Sequence, residues 1–416
     1  MVNLKGFNIV LVHQENRSKI LQAFFLHAPV SRIEIAKLTS LTPPTITSCV
    51  NSLMEAGLVT KCEDTGLKNG TALGRKPVLL DIVKDAGYAI GVDLGPNGII
   101  VSITDLRGNI IDNIRVVNKN WNVEPTLSET VSMIKQLIKK SRVNRDKILG
   151  IGVGMSGFVE IETGVLRYSP IHGWKNISVK DILEEQTGFP VCVENNVRLM
   201  AVGEMLFSGW RTRTSGITGN VLYVYVGDGI ACAIVHNNEL LRGNISGAGE
   251  IGHTIVAWDG PDCRCGKKGC LEAVSSEFAI KKQVARALSG AQKNTEKGSP
   301  PDILKKEIKN PNAPAMAEIF SALEKGDKTT AAIFDEAMKY LGGSIANVIN
   351  LINPKLVLID GPIYSRPGLS DRLLEIIREH TFALTDTETE YEFKEYDINR
   401  CSVGGAAFAI RQFFIR

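Results

Sequence analysis

Three cysteines, Cys263, Cys265 and Cys270, crowd into one short stretch, and His253 lies ten residues upstream of the first. Three thiols and one imidazole are a ligand set for a soft divalent ion. Gly266 and Gly269 allow the chain to turn between them, so the four side chains can close around one tetrahedral ion and leave no position for water. The spacing alone also permits a plain cluster of reduced thiols. The other five of the eight cysteines are scattered singly, unlike the dense cysteines of a small secreted scaffold. A second chemically suggestive set lies near the N-terminus. Pro44, Thr45, Thr47, Ser48 and Asn51 share one face of a short amphipathic segment. These are small, uncharged groups, most of them hydrogen-bonding, able to approach base edges and phosphates closely. Further on, Gly74-Arg75-Lys76-Pro77 ends a polar stretch, where Arg75 and Lys76 can enter the negative potential of a minor groove.

The elements around the N-terminal set read as a DNA-reading module. Ile20, Leu21, Phe24 and Phe25 have the spacing of one helix face. Ser31 and Glu34 form a capping box for a second helix, with Ile35, Ala36 and Leu38 as its apolar stripe. Thr39 to Leu41 makes a tight turn. Thr42 then caps a third helix with Pro43 at its first position, Ile46, Val50 and Leu53 inside, and Gly57 at its end. Strands at 58–61 and 78–82 enclose a polar loop, the wing. Two short helices, a turn, a capped third helix and a wing make a winged helix-turn-helix. A three-helix bundle used for protein contacts is the plainer alternative. The charge agrees with DNA: residues 1–83 carry nine Lys/Arg against six Asp/Glu, so the whole formal excess of +3 lies there.

After Lys84 the texture changes to alternating strands and helices. Strands are expected at 88–95, 99–104 and beyond the turn at 105–109, then a helix at 126–140 and a strand at 148–153. A second hairpin, 221–226 with 230–235, turns through Gly227-Asp228-Gly229. A helix at 341–351 leads into the strand 356–360. The polar stretch 286–314 reads as a loop or insertion. A strand-turn-strand start that recurs in a second half suggests two actin-like lobes. At 416 residues, with 44% hydrophobic and 22% charged residues, the chain is ordinary globular material and not collagen-like or disordered. It has no apolar run near the ~18 residues of a membrane span and no cleavable signal pattern, so no membrane association and a cytoplasmic location are expected.

The chain resembles the ROK family of repressors, open reading frames and sugar kinases. The resemblance rests on Asp93-Leu94-Gly95, His172-Gly173-Trp174-Lys175-Asn176, Glu194-Asn195-Asn196, the run Gly247 to His253, and Cys263-Arg264-Cys265-Gly266-Lys267-Lys268-Gly269-Cys270-Leu271-Glu272. It covers nearly the whole chain, and the winged helix resembles the family's repressor branch. It implies an α/β fold: a winged helix-turn-helix followed by a two-lobed, actin-like (ribonuclease H-like, sugar-kinase-type) ATPase fold. It implies one structural zinc per chain on His253, Cys263, Cys265 and Cys270. It also implies a monosaccharide held by Asn176, Asn195, Asn196, Glu250, His253 and Glu272, with His253 shared between sugar and metal.

The chain departs from the family's kinase pattern at its catalytic and nucleotide-facing positions. Where kinases carry an aspartate base after Glu-Asn, this chain has Asn196, which cannot take up a proton. The first phosphate loop reads Asp93-Leu94-Gly95-Pro96-Asn97 in place of Asp-x-Gly-Gly-Thr. The second reads Gly227-Asp228-Gly229-Ile230-Ala231, with a carboxylate where phosphates would lie. The nucleoside-side turn is Asp360-Gly361-Pro362. The expected function is therefore a sugar-responsive transcriptional repressor without catalytic residues, binding operator DNA as a homodimer or dimer of dimers. A hexose kinase with an appended DNA-binding domain is the alternative. The expected domains are 1–83 for DNA, 84–200 with 395–416 for the first lobe, and 201–394 for the second lobe with the metal site and dimer surface.

Overall fold

A computed structural model describes residues 9–62, 77–117, 121–208, 219–293, 302–366 and 368–416. The chain divides into two compact units, Met1–Ile217 with Ile398–Arg416, and Thr218–Asp397.

The N-terminal part of the first unit follows its local signals. Helix α1 spans Ile9–His27 and buries Ile20, Leu21 and Phe24 completely. Helix α2, Arg32–Thr39, opens on the expected capping box: the Glu34 N–H donates to Ser31 Oγ at 3.3 Å and the Ser31 N–H to Glu34 Oε2 at 2.8 Å. Helix α3, Pro43–Glu55, buries Ile46, Val50 and Leu53. At its start the Thr42 hydroxyl pairs with the Thr45 hydroxyl (2.9 Å) instead of capping the backbone. Strands β1 (Val30–Ser31), β2 (Val59–Lys61) and β3 (Leu79–Ile82) form one antiparallel sheet in the order β1-β3-β2. The stretch 63–76, with Arg75 and Lys76, lies outside the described residues.

This module is seated on the body within the same unit. Phe25 meets Phe414 edge-on at 6.2 Å, and Arg17 lies over the same Phe414 ring. Arg107 pairs with Asp81 of β3 and lies over Phe25.

The body of this unit is a five-stranded sheet of β4 (Tyr88–Gly95), β5 (Gly98–Asp105), β6 (Ile110–Val116), β7 (Ile148–Met155) and β11 (Val191–Asn195), in the order β11-β7-β4-β5-β6. β4, β5 and β6 are antiparallel neighbours, while β7 and β11 run parallel to β4. β4 and β5 are buried along almost their whole length, which explains their near-continuous apolar composition. A smaller sheet of β8 (Phe158–Glu160), β9 (Val165–Tyr168) and β10 (Lys175–Ser178) lies between β7 and helix α5 (Val179–Thr187) in sequence. Helix α4, Val123–Ser141, packs Leu127, Val131, Ile134 and Leu137 on the main sheet's core. Helix α6, Asn196–Phe207, is buried along nearly its whole length and packs against the C-terminal helix Arg400–Ile410.

The second unit repeats the plan. Strands β12 (Val221–Val226), β13 (Ile230–His236), β14 (Glu239–Leu240), β15 (Leu356–Asp360) and β16 (Glu390–Phe393) take the order β14-β13-β12-β15-β16. Strand senses match too: β12, β13 and β14 are antiparallel neighbours, and β15 and β16 are parallel to β12. Two sheets of one topology in one chain are the actin-like arrangement. The expectation of a loop over 286–314 is corrected in part. One helix runs on to Lys293 and another spans Asp302–Glu307. Leu304 and Ile308 are buried in the core of this unit, and these two anchors hold an otherwise polar stretch in place.

Candidate functional site

In the second unit the four metal-ligand candidates meet. His253 ends a short 3-10 turn, Ile251–His253, and its N–H donates to the Glu250 carbonyl at 3.0 Å. The cysteine segment folds as a knuckle: the Cys263 N–H donates to Lys267 O (2.8 Å) and the Gly266 N–H to Cys263 O (3.0 Å). Gly269 is needed here, because it has φ +69° and a Cβ would stand 1.6 Å from Ala257 O. The donor atoms of His253, Cys263, Cys265 and Cys270 all lie within 4.8 Å of one another. Cys265 Sγ and Cys270 Sγ are 3.7 Å apart, as are Cys263 Sγ and His253 Nδ1. Two sulfurs bound to one zinc at tetrahedral angles stand about 3.8 Å apart, so this donor set fits the ion. Burial pushes the Cys263 and Cys270 thiols up, so ligation requires a cation to stabilise the thiolates.

The metal side and the ligand side of His253 are distinct. Nδ1 points to Cys263, whereas Nε2 lies 3.9 Å from Glu250 Oε2. Glu272 sits in the first turn of the short helix Leu271–Ser275, directly after Cys270. Its Oε2 accepts the Ile230 N–H at 3.2 Å, and its Oε1 lies 3.4 Å from Arg264 Nη2.

Arg264, between two candidate ligands, is a residue the sequence reading passed over. Its Nη1 donates to Asp228 Oδ2 and its Nη2 to Asp228 O, both at 2.7 Å. The guanidinium also lies over the Phe278 ring, 4.6 Å from its centre. Arg264 thus grips Asp228 at two points, its carboxylate through Nη1 and its backbone carbonyl through Nη2. No signal in the sequence pairs residues 36 apart in this way. On the nucleoside side, Asp360 is buried, accepting from the Tyr223 hydroxyl and from the Gly361 N–H.

In the first unit Asn195 and Asn196 sit at the start of α6. Asn195 Oδ1 accepts the Val197 and Arg198 N–H groups as the helix cap, and its Nδ2 donates to Gly157 O at 3.2 Å. Asn196 Nδ2 donates to Ser156 Oγ at 3.2 Å. Both are buried, and Glu194 beneath them forms a buried ion pair with Arg198 at 2.9 Å. Asn176, in β10, is exposed and has φ +52°. Asp93 is buried, and burial pushes its pKa up to about 7 against a smaller lowering by the Cys401 thiol.

In the DNA-reading module Pro44, Thr47, Ser48 and Asn51 are exposed on α3 and Thr45 is half-buried. Thr47 Oγ1 donates to Pro43 O, and Asn51 Oδ1 accepts from Arg32 at 2.8 Å. Arg32, on α2, therefore orients one of the candidate base-reading side chains.

The ROK family model matches residues 89–412, and a winged helix-turn-helix DNA-binding model matches residues 14–60. A xylose repressor of Caldicellulosiruptor bescii is 29% identical over 377 residues, covering 90% of each chain. A glucokinase of Halalkalibacterium halodurans is 31% identical over 330 residues, covering 78% of this chain and 95% of its own. Among solved structures, a ROK family transcriptional regulator, a homologue of the Escherichia coli MLC protein, superposes with a TM-score of 0.78 at 24% identity over 97% of both chains. No helix among the described residues is long and apolar enough to cross a membrane. The glucokinase match covers 78% of this chain and the repressor match 90%. The chain belongs to the ROK family and carries a winged helix-turn-helix DNA-binding domain in front of the ROK body.

Proposed function

We propose that this chain, a sugar-responsive transcriptional repressor, takes a pentose of the xylose type as its effector. Asn176, Asn195, Asn196, Glu250, His253 and Glu272 bind the sugar. Zinc on His253, Cys263, Cys265 and Cys270 braces the segment from Glu250 to Glu272; bound there with four protein ligands, it is structural and presents no open position. Two copies read a two-fold operator through Pro44, Thr45, Thr47, Ser48 and Asn51 of α3, with Arg75 and Lys76 on the wing, and they do so in the cytoplasm.

The observation that carries this reading is the clamp of Arg264 on Asp228. It fills the place of a nucleotide phosphate with an internal ion pair, while the carboxylate, amide and imidazole groups suited to sugar hydroxyls are kept. Xylose repressors among the relatives support the pentose. The glucokinase relative favours a second reading, a hexose kinase with a DNA-binding head. Asn196 and the Asp228 clamp oppose it.

Helix α6 gives a physical route for the response. It starts at Asn195 and Asn196 and packs against α1 of the DNA-reading module. A sugar shifts operator binding only by its differential affinity for the two states, and about 5- to 150-fold is a typical coupling. The test is a thermal-shift panel of monosaccharides followed by operator titration with and without the hits. Xylose should raise the melting temperature and change operator affinity by at least about 5-fold. A stabilising hexose consumed together with ATP would establish the kinase reading instead.

A further inference from the structure

The tip of the β9–β10 hairpin holds a histidine that the account above leaves unused. Tyr168 pairs with Lys175, the Ser169 N–H donates to Trp174 O at 3.0 Å, and the Gly173 N–H returns to Ser169 O at 2.9 Å. His172 is 9% exposed inside this tip. Its ring lies 4.2 Å from that of Trp121 and 5.4 Å from that of Trp174. Trp174 Nε1 donates to the Trp121 backbone carbonyl at 2.6 Å, which ties the Trp174 indole to the segment that carries Trp121.

The hydrogen bonds of this ring favour one tautomer. Ser169 Oγ accepts the His172 backbone N–H at 3.3 Å and stands 3.0 Å from His172 Nδ1. The hydroxyl could accept twice, but only donation to Nδ1 gives its own proton an acceptor within this pair, which favours the tautomer with the ring proton on Nε2. Burial pulls the imidazole down to about 4, so the ring stays neutral with one N–H at physiological pH. That N–H is buried and has no partner among the described residues. An orphaned buried donor costs ~1–3 kcal/mol, and such a cost in a well-packed tip asks for an explanation.

The tip adjoins the asparagines of the proposed sugar site through one loop. A Cβ on Gly157 would stand 2.2 Å from Tyr168 O and 2.9 Å from Ser169 Cα, so the loop backbone lies directly on the residue that holds His172. The same Gly157 carbonyl accepts Asn195 Nδ2, and the neighbouring Ser156 hydroxyl accepts Asn196 Nδ2. Trp121, which stacks on the imidazole, is half-buried, so this side of the ring lies close to the surface.

We propose that His172 is a specificity-determining residue of the effector site, its Nε2–H donating to one hydroxyl oxygen of the bound monosaccharide. This rests on the sugar-effector reading above. A site built around such a donor discriminates strongly against an analogue lacking that hydroxyl, because the N–H is then left unpaired.

Calorimetry on the full chain with D-xylose and its single-deoxy analogues tests this. His172→Phe keeps the stacked ring and removes the donor; His172→Gln offers an N–H near the Nε2 position. We expect His172→Phe to weaken xylose binding about 10-fold or more and His172→Gln to retain most of it. Against one deoxy analogue the difference between wild type and His172→Phe should vanish. Equal xylose binding by wild type and His172→Phe overturns the proposal, as does a uniform loss across all the analogues, which marks a purely structural residue. Should His172→Phe fail to melt cooperatively, selective ¹⁵N-histidine labelling of the wild type decides. The chain has six histidines, and xylose must shift the Nε2-protonated resonance of His172; an unmoved resonance overturns the assignment. A wild type that binds no monosaccharide overturns the effector reading itself, and this inference with it.

Discussion

Asp93 and Asp228 lie near the first hairpin of two units of one topology, Asp93 within the first strand two residues before its end and Asp228 in the turn that follows the first strand. Their settings differ. Asp228 is 28% exposed and held by the Arg264 guanidinium, which reaches in from the metal knuckle. Asp93 is 7% exposed, has no cation beside it among the described residues, and is pushed up to about 7 by burial. In a nucleotide-binding relative both turns would face phosphates and their metal ions. Here one carboxylate is paired with a side-chain cation, and the other is buried and keeps its proton up to about pH 7. The two carboxylates are thus accommodated in two ways, one by an ion pair and one by burial.

The largest test of this contrast is removal of the metal. Arg264 lies between Cys263 and Cys265, so the clamp on Asp228 depends on the knuckle, while Asp93 does not. Purified protein should contain about one zinc per chain, and Cys265→Ser should lose it. The second unit should then lose on the order of several kcal/mol of stability, and sugar affinity should fall with it. Hydrogen exchange should show the loss confined to 218–397. A metal-free variant with normal stability and sugar binding would sink the bracing role.

Next in size is Arg264→Ala. It leaves the Asp228 and Glu272 carboxylates without their cation in a half-buried setting, which should cost ~2–4 kcal/mol. Asp228→Asn should cost less, because Arg264 keeps its contacts to Asp228 O and to Glu272. The double variant should recover part of the loss, a coupling of ~1–2 kcal/mol by denaturant titration. Strict additivity would show that the clamp is a contact without energetic weight.

Asp93→Asn should act with the opposite sign and in a pH window. The folded pKa lies above the unfolded one, so the native state keeps a proton that the unfolded chain releases above about pH 4. Stability therefore falls as pH rises from about 4 through about 7. The amide removes that slope. The variant should match the wild type near pH 4 and exceed it by up to ~4 kcal/mol at pH 8. A constant difference across this range would mean that Asp93 titrates normally.

What could be read from the sequence divides by range. The Ser31–Glu34 box, the Pro43 start of α3 and the cysteine knuckle depend on neighbours within a few residues, and each appears as expected in the structure. The Asn196, Pro96 and Asp228 departures were visible because the family motifs are short. The Arg264–Asp228, Arg32–Asn51 and His172–Trp121 contacts are set by packing between distant segments, which periodicity does not encode. The helices within 286–314 were missed for a related reason: Leu304 and Ile308 are too few to make a period, and only the core they enter holds the stretch. The wing residues Arg75 and Lys76 lie outside the described residues.

The smallest expected effect is the sharpest test of the comparison. Asn196→Asp restores the carboxylate that a sugar kinase uses as its base, yet we expect no sugar-dependent ADP release. Three features of the structure oppose turnover. The position is the first residue of α6, where the helix N-terminus stabilises an ionised carboxylate and makes it a weaker base. Asn196 Oδ1 already lies 3.0 Å from the Val197 N–H, which would hold an aspartate in place by the same contact. Above all, a base supplies ~10²–10⁴-fold only when the γ-phosphate is held in line with the attacking hydroxyl. The first loop with Pro96 and Asn97, and Asp228 under Arg264 in the second, offer nothing to hold it. A coupled assay on wild type and variant, with the sugar that stabilises the protein most, measures this directly. Turnover by the variant alone would mean that both phosphate loops still admit ATP, and that a single amide, not the altered phosphate loops, separates this repressor from a kinase.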